Sequence, residues 1–176
     1  MSRKEEYYNI YSEFYNVNKY RELKSMAHHG NNRLDHINRV SKLSFKLSRA
    51  LKLDYVSCTR GALLHDFFTT EDIKRGKHFL KEHPKIALNN SKEFFDLNEI
   101  EEDIILKHMY PMVKGKPKYA ESKVVCFADT DEMITMHPII GNEDLPYIDL
   151  NYMQVKELSA LSAVPGPTGI KFYLQV

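Results

Sequence analysis

The sequence predicts an all-α protein, a bundle of packed helices, and three observations carry that reading. Glycine and proline are scarce before Pro111. Apolar residues recur at intervals of three and four instead of alternating, which is the period of an amphipathic helix. Capping residues stand where these segments begin: Asp54 ahead of one, and Asn98 with Glu101 three residues on for another.

In chain order, Arg3 to Asn16 and Lys19 to Met26 read as helices rich in tyrosine and charge. The polar break His28-His29-Gly30-Asn31-Asn32 reads as a loop. From Arg33 to Lys52, His36, Val40, Leu43, Leu47 and Ala50 share one face at helical spacing, so His36 is directed at the core. The next helix runs from Asp54 through Gly61-Ala62-Leu63-Leu64 to His65 and Asp66, and Thr69 to Lys77 follows as an exposed loop. Pro84 is expected at a first helical position, with His83 before it and a helix to Phe95 behind it. Asn98 opens a helix to Tyr110, Pro111 to Lys118 is a loop whose cations have no local partners, and Glu121 to Met136 returns to helix. Beyond His137 the periodicity weakens; a short helix at Tyr152 to Leu161 and an extended run at Ile170 to Val176 are the expectations there.

A chain of 176 residues, 43% hydrophobic and 28% charged, suits one globular core. The formal net charge of +1, with acids and bases interspersed, lacks the cationic footprint of a duplex nucleic-acid binder. No apolar run approaches the roughly 20 residues that span a bilayer, so no membrane partner is expected. The charged start, Met-Ser-Arg-Lys-Glu-Glu, points to the cytoplasm. Cys58 and Cys126 read as small core thiols without a disulfide.

The chemistry lies in His36, the pair His65-Asp66, His83, His108 and Asp129, distributed over five successive helical segments, each near an apolar face. Imidazole nitrogen with carboxylate oxygen suits zinc, manganese, iron or nickel, whereas magnesium and calcium prefer all-oxygen shells. Adjacent helical residues differ by about 100° in direction, so His65 and Asp66 can approach one ion from two sides or let the carboxylate reach a second ion. In Gly-Ala-Leu-Leu-His-Asp-Phe-Phe the pair closes an apolar helix, where an unpaired carboxylate would be costly unless it met a cation.

A first His, a His-Asp pair and a distant Asp on separate helices resemble the pattern of the HD superfamily of metal-dependent phosphohydrolases, small stand-alone bacterial HD proteins in particular. The match runs over roughly Arg33 to Met136, with Ala-Leu-Leu-His-Asp and Val-Val-Cys-Phe-Ala-Asp as its most specific stretches. His83-Pro84 and Ile-Leu-Lys-His108 resemble the extra histidine pair of its two-metal branch. The Gly-Tyr-Pro signature of the cyclic-dinucleotide phosphodiesterases in that branch is missing, and Met109 stands where they have a second consecutive histidine, so their specificity is not carried over. The implied organisation is an HD-domain-like helical bundle: N-terminal helices over 1–32 packed on the core, a metal-binding core over 33–136, and a C-terminal extension over 137–176, part of the same domain or poorly ordered.

The resemblance implies hydrolysis of a phosphate mono- or diester, with a nucleotide as the expected substrate class, by a metal-activated water. His36, His65, Asp66 and Asp129 would hold a first divalent ion, and Asp66 would bridge to a second held by His83 and His108; His65 and Asp66 form the catalytic pair. Candidate contacts for the phosphorylated substrate are His28, His29, Lys77, Lys107, Lys114 and Lys118, although for each lysine the solvated-face reading is the favoured one. Two other functions remain open: a metal-stabilised nucleotide-binding module without turnover, and a di-iron oxygenase of HD type.

Overall fold

The computed structural model describes residues 2–28, 31–73 and 79–135. They form an all-α bundle: α1 (Arg3–Tyr15), α2 (Asn18–Glu22) continued by a 3-10 turn (Leu23–Ser25), α3 (Arg33–Ala50), α4 (Tyr55–Leu64), the one-turn α5 (Thr70–Ile73), α6 (Phe79–Phe94), α7 (Glu99–Lys107) and α8 (Ala120–Thr135). The expectations placed on 137–176 lie outside the described residues, as do those on His29 and Lys77.

Local chemistry accounts for the helix starts. Ser2 and Glu5 form a reciprocal capping box on α1, and Asn98 and Glu101 form another on α7. The Asp54 carboxylate accepts the N–H groups of Val56 and Ser57 at 3.1 Å, as expected of the α4 cap. Asn32 caps α3 by accepting the Asp35 N–H at 2.9 Å.

Three expectations are corrected. The break before α3 is not an open loop: Ala27–His28 (β1) and Asn31–Asn32 (β2) pair antiparallel. This ladder, with the Arg33 N–H bonded to the Met26 carbonyl at 2.9 Å, sets the angle at which the chain enters α3. Secondly, α6 begins at Phe79, so Pro84 lies inside the helix and not at its first position. The helix forgoes the bond a residue other than proline would make to Leu80; burial of His83, Ala87, Leu88 and Ser91 along one face outweighs that local loss. Thirdly, Ala50 is exposed; the buried face of α3 instead broadens to take in Ser41, Ser44 and Ser48. Small side chains there let α4 approach closely, with Cys58 Sγ 3.9 Å from the Ser44 carbonyl.

α4 is the central element. Its Leu63 and Leu64 join a cluster with Phe14, Tyr20, Leu23, Ile37, Phe67 and Ile105. Its Cys58 and Ala62 join a second, with Val40, Leu47, Ile104, Val124 and Ala128. Tyr20 ties the N-terminal helices to α4 by donating its hydroxyl to the Leu63 carbonyl at 3.0 Å. Gly61 allows α4 to lie directly on α7: a Cβ there would stand 2.7–2.9 Å from three carbons of Ile104. Both cysteines are unpaired thiols, and burial pushes each up to about 12. No helix among the described residues is long and apolar enough to cross a membrane.

Candidate metal centre

The side chains of His36, His65, Asp66, His83, His108 and Asp129 converge, and all six are buried. α3 supplies His36 from its first turns. α4 ends at Leu64, so His65 is its C-cap and Asp66 the first residue beyond. His83 comes from the second turn of α6, His108 caps the end of α7, and Asp129 lies within α8. Each follows closely on core residues: His36 lies beside Ile37, His65 after Leu64, His108 four residues after Ile104, and Asp129 after Ala128. The two apolar clusters therefore meet around the polar centre.

The six fall into two groups that share one carboxylate. In the first, His36 Nε2 lies 3.2 Å from His65 Nε2 and 3.1 Å from Asp129 Oδ1, which is 3.7 Å from His65 Nε2. In the second, His83 Nε2 lies 2.8 Å from His108 Nε2 and 3.2 Å from Asp66 Oδ1, with His108 Nε2 3.6 Å from the same oxygen. Ligand atoms of His36, His65 and Asp66 lie mutually within 4.8 Å, and so do those of Asp66, His83 and His108. Asp66 thus belongs to both triads.

The donor set fits divalent ions. His65 Nδ1 donates to the Ala62 carbonyl at 2.7 Å, and His108 Nδ1 donates to the Ile105 carbonyl at 2.8 Å. Each bond fixes the tautomer that leaves a lone pair on Nε2, the arrangement a metal-ligating imidazole needs. Separations near 3 Å are those of two atoms each about 2.1 Å from a common ion. Asp66 Oδ1 is buried and meets no aligned hydrogen-bond donor, although His83 Nε2 is near.

Electrostatics point the same way. Burial alone would raise Asp66, but His83, His65 and His108 together hold it well below the usual carboxylate range. Asp129 is likewise lowered against the effect of burial, by His36, His65 and His108. Burial lowers His65 and brings His108 down to about 4, so both rings are neutral at ordinary pH.

Among the expected substrate contacts, His28, Lys107, Lys114 and Lys118 lie within the described residues. His28 belongs to β1. The Lys107 ammonium donates to the Lys114 carbonyl at 2.7 Å, and the exposed Lys118 ammonium lies 3.5 Å from Glu99 and over the Tyr119 ring. Of the loop's cations Lys118 therefore does have local partners, because the chain folds back on α7, where Asp103 accepts the Lys118 N–H at 2.8 Å. Arg33 escaped the sequence reading. It is buried at the start of α3, with its guanidinium 3.5 Å from the centre of the Phe68 ring and NH1 3.4 Å from the Phe68 carbonyl. Burial lowers its pKa, and the charge of Asp66 opposes that shift. The available signal was a cation three residues before His36, on the same helical face.

Compared with known proteins, residues 33–134 match the family model described as HD domain. No curated protein and no solved structure gave a match to the chain.

Proposed function

From the membership of this chain in the HD-domain family, we propose that it is a metal-dependent phosphohydrolase that hydrolyses a phosphate mono- or diester, with a nucleotide as substrate class. The observation that carries this reading is Asp66, a buried carboxylate common to two triads of ligand atoms. His36, His65 and Asp129 with Asp66 would hold one divalent ion, and His83 and His108 with Asp66 a second. Bound ions would supply Lewis acidity, acidifying water and drawing charge from phosphoryl oxygens.

The chain's own groups do the remainder. The Ala62 and Ile105 carbonyls hold the His65 and His108 rings with Nε2 directed at the centre. Asp66 stays ionised at any ordinary pH, so it keeps its negative charge for binding cations. Arg33 places a cation near Asp66 that can offset phosphate charge, and its buried Nε has no protein acceptor. The nucleotide assignment rests on family analogy, because fold membership does not select a substrate.

Metal analysis of the freshly purified protein for manganese, iron, zinc and nickel, with a screen of phosphorylated compounds, tests the proposal. Release of phosphate or of a monoester that disappears in Asp66→Ala is expected. Tight nucleotide binding with the ligand intact after long incubation would replace the proposal by a binding module, and a mixed-valent iron spectrum by an oxygenase.

A further inference from the structure

Two turns beyond His83 on α6, the buried Asn90 reaches the chain that leaves α4. Its amide nitrogen donates to the Phe67 carbonyl and to Asp72 Oδ2, each at 3.0 Å, while its oxygen accepts from the Lys19 ammonium at 3.2 Å. Chemistry fixes the orientation of this amide: a carbonyl and a carboxylate only accept, and an ammonium only donates. Asp72 Oδ2 also accepts the Thr69 N–H at 2.7 Å and the Thr69 hydroxyl at 3.1 Å. One side chain of the helix that carries His83 therefore ties down a segment that starts immediately after Asp66.

We propose that Asn90, braced by Asp72, is a positioning residue of the second ion site, setting the separation of Asp66 from His83. This rests on the metal-centre reading above. Seven residues are nearly two helical turns, so Asn90 and His83 share a face. Asp66 lies beyond α4, in a tight turn where the Phe67 N–H bonds the Leu64 carbonyl at 3.1 Å and the Phe68 N–H bonds the Asp66 carbonyl at 2.9 Å. The Phe67 carbonyl is where Asn90 grips this turn. The first site has three further ligands, His36, His65 and Asp129, from α3, the end of α4 and α8, whereas the second has only His83 and His108 besides Asp66, so a displaced Asp66 costs the second site more. Neither Asn90 nor Asp72 is a ligand; each acts through Asp66.

The test is titration of the full-length protein with Mn2+, followed by electron paramagnetic resonance and calorimetry, with thermal melting in EDTA as a measure of the fold. Wild type should bind two ions of unequal affinity. Asn90→Ala should weaken the weaker site about 10- to 100-fold, the range for loss of a group that orients a ligand, and the tighter site, which shares Asp66 but has three further ligands, by a clearly smaller factor. Asp72→Asn keeps the shape and the bond from Asn90 to Phe67, so the same site should weaken by a smaller factor. Should Asn90→Ala not fold, Asp72→Asn decides alone. Unchanged affinity in variants of a wild type that binds two ions overturns the positioning role only. Equal weakening of both sites also overturns it, being the signature of general loosening. Uptake of one ion by wild type overturns the positioning role together with the two-ion reading.

Discussion

Replacing Gly61 by alanine sets two effects of opposite sign against each other, and the structure decides between them. Alanine in a helix interior is favoured over glycine by about 1 kcal/mol, which predicts stabilisation of α4. The new methyl carbon, however, would lie 2.7–2.9 Å from Ile104 Cδ1, Cγ2 and Cβ, whereas carbon contacts settle near about 3.5–4.0 Å. Ile104 is fully buried between α4 and α8 residues and has no solvent to swing into. Overpacking of this kind costs about 1–3 kcal/mol, and three simultaneous short contacts put it in the upper part of that range. A net loss of about 1–2 kcal/mol is expected. Urea unfolding of EDTA-treated protein reads it directly. In an Ile104→Ala background Cδ1 and Cγ2 are absent and only the Cβ contact at 2.9 Å remains, so the same substitution should cost clearly less there. Higher stability of Gly61→Ala alone, or an equal cost in both backgrounds, would refute the steric argument. Because His65 and His108 are the C-caps of α4 and α7 and their ring centres are 5.0 Å apart, the wedge should also weaken Mn2+ binding.

Asp66→Asn keeps the shape of the shared ligand but removes its charge; metal uptake should fall at least about 100-fold while circular dichroism still shows a helical fold, and retained metal would sink the shared-carboxylate reading. In metal-free protein, burial favours neutral His108 at a pKa of about 4 against 6.5 unfolded, so the unfolded chain binds the proton more tightly. That stability is complete above pH 6.5 and is lost as the pH falls toward 4, by about 3 kcal/mol for His108; His65, lowered by the same burial, adds to the loss, and the lowered carboxylates Asp66 and Asp129 contribute only near pH 4 and below. Urea midpoints that do not move between pH 7 and 4.5, or that move equally in His108→Gln, would contradict it. Arg60 pairs through Nε with the buried Glu101 at 2.6 Å, bonds Glu13, and donates to the Asp96 carbonyl at 3.1 Å. Arg60→Met strands the Glu101 carboxylate, which burial already raises, and should cost about 2–3 kcal/mol in chemical unfolding; the double variant with Glu101→Gln should recover part of that loss. Cys58 should resist thiol reagents until the protein unfolds, because its burial pushes ionisation up to about 12.

The sequence by itself determined the all-α class, the positions of most helices, and the residue types that could hold a metal. These are local properties. Helical period shows in apolar spacing, caps such as Asp54 and Asn98 act within three residues, and His-Asp in an apolar helix end is visible as a dipeptide. The convergence of Asp129 with His36, 93 positions earlier in the numbering, was legible only through the family pattern. Tertiary packing alone decided the rest. It buried Pro84 inside α6 because the His83 and Ala87 face gains more from the core than one backbone bond is worth. It turned Arg33 inward onto Phe68, brought Lys118 beside Glu99 of α7, and made Asn90 the link between Asp66 and His83. Each of these depends on which distant residue lies opposite, and a period of 3.6 states which face is apolar without stating what that face will meet.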